Sequence, residues 1–289
     1  IREGAFYIIH AKTTVIATGN TNRLYENPRI NPFNTWLCPF DTGDGQIMAL
    51  DAGAELTNME YMRMTLLPKG FAAPGFNALV GMGDRFLNSL GEYYMEKHHS
   101  MGNRAPRYDV VYYTLEEIRK GHGPIYIDCR QVTDHDLAHL KASLGYDKDT
   151  LPDYFDQRGE DLRTKPVEIT VSEGMQAGPT EVTGSGIKID KNSATTVPGL
   201  FACGDACDHN RCVHGAVAGG YKAGKSAAAY AMDVTHVDEA PKSIIHEQID
   251  RFMAPLHRPS GYPYRQIEDT MRKIMAEHVG PMRTEHALN

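Results

Sequence analysis

A chain of 289 residues, 41% of them hydrophobic, carries enough apolar material for one large or two modest packed domains. Its formal charge of −7 argues against a nucleic-acid partner; no apolar run approaches the roughly 18 residues a membrane span needs, and no signal-peptide pattern is present. Five cysteines at irregular spacing do not form a disulfide framework, so a reducing, cytoplasmic location is expected.

In chain order, Ala5-Phe6-Tyr7-Ile8-Ile9 reads as a strand and Lys12 to Gly19 as a second, ending on Ala17-Thr18-Gly19. Asp41-Thr42-Gly43-Asp44-Gly45-Gln46 then leads into a helix-like segment from Ile47 to Gly53. This alternation, continuing to about Leu56, predicts part of a three-layer α/β domain. From Thr57 to about Val171 the pattern changes. Turns at Pro68-Lys69-Gly70 and Ala73-Pro74-Gly75 precede helical periodicity over Ala78 to Lys97 and Tyr112 to Gly121, a strand over Gly123 to Asp128, and an acidic segment expected in an exposed helical lobe. Gly186 to Asp190 reads as a short hairpin strand, and Thr195 to Asp205 as an apolar strand stopping on Gly204-Asp205, with a helix over Ala216 to Met232. Pro241 marks a boundary, after which Ile244 to Leu256 and Tyr264 to Val279 predict two more helices.

The Gly204-Asp205 turn carries the chemistry. A buried strand delivers the chain to a tight turn, glycine lets the backbone approach a ligand closely, and the carboxylate can accept hydrogen bonds from ribityl hydroxyls of a flavin. Cys203, Cys207 and Cys212, with His209 and His214 nearby, match neither zinc nor ferredoxin spacing and are expected as structural or free thiols, a redox-active thiol facing the flavin being the alternative. Asp134-His135-Asp136 with His139 reads as a solvated acidic loop before a helix. No metal is expected.

The strand ending on Ala17-Thr18-Gly19, the Thr42 to Gly45 loop and Gly204-Asp205, in this order, resemble the succinate dehydrogenase and fumarate reductase flavoprotein family. The likeness extends to Asn58-Met59-Glu60-Tyr61, Leu90 to Met95, Pro106 to Val111 and Val279 to Glu285, so it touches nearly the whole chain. It implies an α/β fold: a partial, Rossmann-like FAD-binding domain (1–56 and 173–240), an inserted α+β capping domain (57–172) and the start of a C-terminal helical region (241–289). The family's opening Gly-x-Gly-x-x-Gly turn, which holds the FAD pyrophosphate, does not occur in these residues. The chain is therefore expected to be an internal piece of a longer flavoprotein or one half of a split one, completed by a chain carrying that motif.

The resemblance implies FAD chemistry, with Ala17, Thr18, Gly19, Thr42, Gly43 and Asp44 on the cofactor side, Gly204 and Asp205 at the ribityl chain, and Gly215 and Ala216 presenting helix N–H groups to the flavin ring. The substrate end departs from the family. Ala218 replaces the arginine that clamps a substrate carboxylate, Val80-Gly81-Met82-Gly83-Asp84 lacks the proton-shuttle arginine, and Leu67-Pro68-Lys69-Gly70 and Ser172-Glu173-Gly174-Met175 lack the family's histidines. A substrate other than a simple dicarboxylate is expected. Arg63, Lys69 and Arg85 are candidate replacements for the clamp, and His214 is a candidate acid/base beside the flavin, each weighed against a solvated surface charge or a backbone-bonding histidine. An iron–sulfur or ferredoxin-like partner is implied, with any membrane association through partner subunits. Alternatives are an adenylylsulfate reductase α-like subunit, a non-catalytic scaffold or interaction subunit, and L-aspartate oxidase, which would also need the arginine replaced by Ala218.

Overall fold

The computed structural model describes residues 3–25, 37–70, 83–144, 150–176, 184–209 and 211–288. Contacts divide the chain into two compact units, one comprising 1–20, 43–61 and 177–270, the other 21–42, 62–176 and 271–289.

In the first unit, β1 (Thr14–Ile16) lies parallel to β8 (Leu200–Ala202), with Thr14 opposite Leu200 and Ile16 opposite Ala202. β2 (Leu56–Thr57) pairs antiparallel with β7 (Gly186–Ile187). The helices are α1 (Asp44–Asp51), α6 (Cys212–Asp233) and α7 (Lys242–His257). Ile16, Ala49, Ile187, Leu200, Ala202 and Ala206 form the core, whereas Val15 of β1 is exposed. α6 turns Gly215, Gly219, Ala223 and Ala227 inward. Side chains at i and i+4 share a helix face, and this small-residue stripe lets the helix come close to what it packs on.

The second unit is built on a four-stranded antiparallel sheet in the order β3 (Met62–Pro68), β6 (Val167–Gln176), β5 (Ile125–Asp128), β4 (Arg85–Leu87). α2 (Met95–His98), α3 (Arg107–Arg119), α4 (Asp134–Leu144) and α5 (Thr150–Gln157) accompany it, and Phe86, Tyr94, Met95, Ile125, Ile127, Leu140 and Ile169 fill its core. Each such side chain contributes roughly 1.5–3 kcal/mol on burial. Glu173 of β6 is buried, which pushes its carboxyl pKa up, while the N–H groups of Leu24 and Tyr25 (2.9 and 3.2 Å) counter that shift. Within α8 (Tyr264–His278), Arg272 donates to the Tyr25 carbonyl at 3.2 and 3.0 Å, so residues 24–25 are held from both sides. A last turn, α9 (Glu285–Leu288), ends the described chain.

Several local expectations change. Apart from a single bridge at Ala5, residues 5–9 form no strand; Tyr7, Ile8 and Ile9 are exposed, and among the described residues no strand runs beside them to complete a ladder. The helix over Ala78 to Lys97 is replaced, from residue 83 onward, by β4, a turn and α2; 78–82 lie outside the described residues, as do 73–75. The turn wins because Asn88 Oδ1 accepts the N–H groups of Leu90 (3.1 Å) and Glu92 (3.0 Å), and Gly91 takes φ +79°. α3 starts earlier than its periodicity suggests, directly after Pro106. Gly186 to Asp190 is not a hairpin strand; its two strand residues pair with distant β2. Asp134-His135-Asp136 lies in the first turn of α4 rather than in a loop, where Thr133 and Asp136 form a reciprocal cap (Thr133 Oγ1 to Asp136 Oδ2 2.7 Å, Asp136 N to Thr133 Oγ1 3.1 Å).

Candidate functional site at the paired strand ends

The parallel pairing of β1 and β8 brings their carboxyl ends side by side. The Cys203 N–H donates to the Ile16 carbonyl at 3.0 Å, so Ala17-Thr18-Gly19 leaves one strand where Gly204-Asp205 leaves the other. Ligands of open α/β sheets settle at such strand ends. Gly19, Gly43 and Gly204 have φ of +82°, +86° and +67°, so each chain turns away sharply after its strand or into its helix.

Two helix N-termini meet this edge. α1 begins at Asp44 after Gly43, and its approach is close: a Cβ on Gly45 would overlap Thr18 Oγ1 and fall 2.9 Å from Ile16 Cγ2. Gly45→Ala is therefore expected to cost about 1–3 kcal/mol through overpacking, read as a lower midpoint in thermal unfolding. Gln46, buried in the first turn of α1, donates Nε2 to the Gly19 carbonyl (3.4 Å) and leaves a buried Oε1 without a hydrogen bond. α6 begins at Cys212, whose N–H donates to Asp205 Oδ1 at 2.8 Å, and a Cβ on Gly204 would stand 3.5 Å from Ala216 Cβ. Its N-terminus, with partial positive charge, suits electron-rich groups.

Burial disfavours the thiolate at Cys203 and Cys207. Burial pushes Cys207 up to about 11, and its Sγ lies 3.1 Å from the Gly204 carbonyl and 3.0 Å from that of His209; burial raises Cys203 as well, while Cys212 is exposed. Among the described residues, no three His, Cys, Asp or Glu side chains are grouped to hold a metal ion.

His214, Gly215 and Ala216 occupy the first turns of α6, with His214 exposed and Gly215 buried; Ala218 is exposed one turn further on. Ala17, Thr18, Gly19, Gly43, Asp44, Gly204, Asp205, His214, Gly215 and Ala216 all belong to the first unit. Thr42, Arg63, Lys69 and Arg85 belong to the second. There Thr42 forms a bridge with Thr21, and Arg63 is opposite Met175 across β3 and β6. Lys69 pairs with Glu168 at 2.8 Å. Arg85 pairs with Glu96 through two nitrogens and stacks over Tyr93, 3.5 Å from the ring centroid. Two of the three candidate clamp cations, Lys69 and Arg85, are thus each paired with a carboxylate of their own unit.

Two glycine turns at neighbouring strand ends, a carboxylate on one of them and two helix N-termini define an α/β protein built to hold a nucleotide-type cofactor. The family model described as FAD binding domain matches residues 2–224, and the chain belongs to that family. The chain is 28% identical to L-aspartate oxidase of Streptomyces coelicolor, over 97% of this chain and 47% of the relative. It is also 28% identical to the succinate dehydrogenase flavoprotein subunit of Rickettsia conorii, over 99% of this chain and 49% of the relative. Its fold matches that of a variant of E. coli quinol fumarate reductase FrdA, with a TM-score of 0.74 and 23% identity, covering 96% of this chain and 49% of that one. The chain spans about half the length of the curated relatives it matches.

The site fits the flavin end of FAD. Gly45 lets α1 approach Ile16 and Thr18 closely, Gly204 lets the strand-end turn pass Ala216, Asp205 supplies a carboxylate and α6 presents its positive N-terminal end. Sequence patterns had located the turns. They had not located Gln46, whose helical position becomes meaningful only once α1 is seen against Gly19.

Proposed function

We propose that this chain is part of the flavoprotein component of an FAD-dependent oxidoreductase related to succinate dehydrogenase and fumarate reductase, acting on a substrate other than a simple dicarboxylate. The observation that carries the reading is the junction of Ala17-Thr18-Gly19 with Gly204-Asp205 at the ends of two parallel strands. FAD, when bound, supplies two-electron redox chemistry. Asp205 would accept hydrogen bonds from the ribityl hydroxyls, the Thr18-Gly19 and Gly43-Asp44 turns would border the cofactor, and Gly215 and Ala216, in the first turns of α6, would set the positive end of the helix dipole beside the flavin ring, where it favours negative charge. His214, exposed on the first turn of α6, is the proposed group for proton exchange there.

The second unit, with its antiparallel sheet, serves as the capping domain. Ala218 has only a methyl group to offer a substrate carboxylate, which supports a changed substrate, and similarity to both an oxidase and a dehydrogenase leaves the substrate to these local residues. An iron–sulfur or ferredoxin-like protein is the proposed electron partner, and the cytoplasm the proposed location. No helix among the described residues is long and apolar enough to cross a membrane.

Absorbance and flavin fluorescence after reconstitution with FAD test the reading. Bound flavin is expected in the wild-type protein, with about tenfold weaker binding for Asp205→Asn, the loss of one charge-assisted hydrogen bond. A wild-type protein that binds no FAD, either alone or together with a chain carrying the Gly-x-Gly-x-x-Gly turn, would overturn it.

A further inference from the structure

Arg211 stands between Asp205 and α6, and neither composition nor motif marks it out. It is the residue immediately before the helix, with extended backbone, yet its side chain is only one-tenth exposed. An arginine is rarely buried to that degree unless its charge has a fixed counterpart. Two neighbours fix this one. Its Nε lies 3.6 Å from Asp205 Oδ1, the oxygen that also accepts the Cys212 N–H. Its aliphatic stem crosses Gly184 so closely that a Cβ there would fall 2.6 Å from Arg211 Cδ. Gly184 is itself held, its N–H donating to the Asp208 carbonyl (2.8 Å) and its carbonyl accepting Asn58 Nδ2 (2.9 Å). The Arg211 stem thus runs past the Gly184 backbone, and its head faces the Asp205 carboxylate.

We propose that Arg211 is a positioning residue for the cofactor site, its charge facing Asp205 Oδ1, which accepts the Cys212 N–H, so that the carboxylate is held turned with Oδ2 available to a ribityl hydroxyl. The proposal rests on the flavin reading above. It differs from the search for a cation among Arg63, Lys69 and Arg85 in two respects: Arg211 lies in the same unit as the strand-end turns, and it acts through Asp205 rather than on substrate. The partly buried pair sits in a medium where Coulomb attraction is stronger than at a solvated surface, so removing the cation is felt at the carboxylate.

A double-mutant cycle in FAD affinity tests this, using wild type, Arg211→Met, Asp205→Asn and the double variant, with Arg211→Lys as the conservative rescue and thermal unfolding of the cofactor-free proteins as a control on folding. The expected result is a fivefold to tenfold weaker FAD affinity for R211M, recovery of at least half of that loss in R211K, and no further loss when R211M is added to D205N, because Arg211 then has no carboxylate to position. A merely structural role would weaken FAD binding equally on the D205N background, and that additive outcome would overturn the proposal, as would an R211M protein binding FAD within twofold of wild type. Wild type that binds no FAD, alone or with a chain carrying the Gly-x-Gly-x-x-Gly turn, rejects the flavin reading itself and this role with it, whereas wild-type binding with an additive cycle rejects Arg211 alone.

Discussion

Replacing Gly186 with alanine is expected to destabilise the first unit by about 3–4 kcal/mol, from backbone strain of roughly 1–3 kcal/mol and overpacking of roughly 1–3 kcal/mol. Gly186 takes φ +130°, a conformation L-residues rarely adopt, and a Cβ there would lie 2.5 Å from the Ala206 carbonyl oxygen and 3.1 Å from its carbon. Neither obstacle is a side chain that can rotate away. Relief must come from moving β7 or the turn after Gly204, and the two are stitched together: the Asp208 N–H donates to the Ile187 carbonyl at 3.1 Å, and Ile187 is fully buried in the core. At roughly 2–4 °C per kcal/mol for a unit of this size, the midpoint should fall by about 10 °C. Gly224→Ala is the matched control. Gly224 lies inside α6 with nothing within 4 Å of its missing Cβ, so alanine there should stabilise by about 0.5–1 kcal/mol. Equal midpoints for the two variants in thermal unfolding would show that β7 and the Gly204 turn are not packed as described.

The same turn shows what was legible in the sequence. Local rules located both strand ends, because an apolar run stopping on Thr-Gly or Gly-Asp announces its turn within a few residues, and β1 and β8 do lie side by side there. α6 and the C-terminal helices followed from periodicity, although α6 starts at Cys212, a turn before its apolar pattern becomes readable. The misreadings have one physical origin. Ala5 to Ile9 has strand-like residues but no described strand beside it, and strand propensity without a partner does not make a strand. Periodicity across Ala78 to Lys97 favoured helix, yet the Asn88 side chain offers the backbone a better set of hydrogen bonds than a helix would. Arg211 is likewise illegible locally: its contacts with Gly184 and Asp205 lie 27 and 6 positions away, and no local pattern encodes both.

The Asn88 turn leads to the second large effect, a pH dependence in the second unit. Glu117 of α3 is buried, which by itself would raise its carboxyl pKa. Donors outweigh that cost: Asn88 Nδ2 at 2.9 Å, His122 Nδ1 at 2.8 Å and His98 Nε2 at 3.2 Å together bring it down to about 2. Lys120, 4.0 Å away, adds a positive charge to these donors. Because the folded-state value lies below the ordinary 4.5, the ionised carboxylate favours the folded state. That stability is complete above about pH 4.5, declines as the pH falls below it and is gone near pH 2, amounting to about 3 kcal/mol at neutral pH. Glu117→Gln keeps the volume but aims an amide at a site lined by donors. It should lower neutral-pH stability by about 2–3 kcal/mol and flatten the dependence between pH 4.5 and 2, measured by urea unfolding across that range. Asp128, also held near 2, provides the contrast: its chief partner is the half-exposed Arg130 (2.6 Å), assisted by Tyr93. Salt screens an exposed guanidinium far more than a buried network. Raising ionic strength to about 1 M should therefore erode the Asp128 contribution and leave that of Glu117 in place. An acid profile that E117Q leaves unchanged would mean that the buried histidine–carboxylate cluster does not carry the acid sensitivity of this unit.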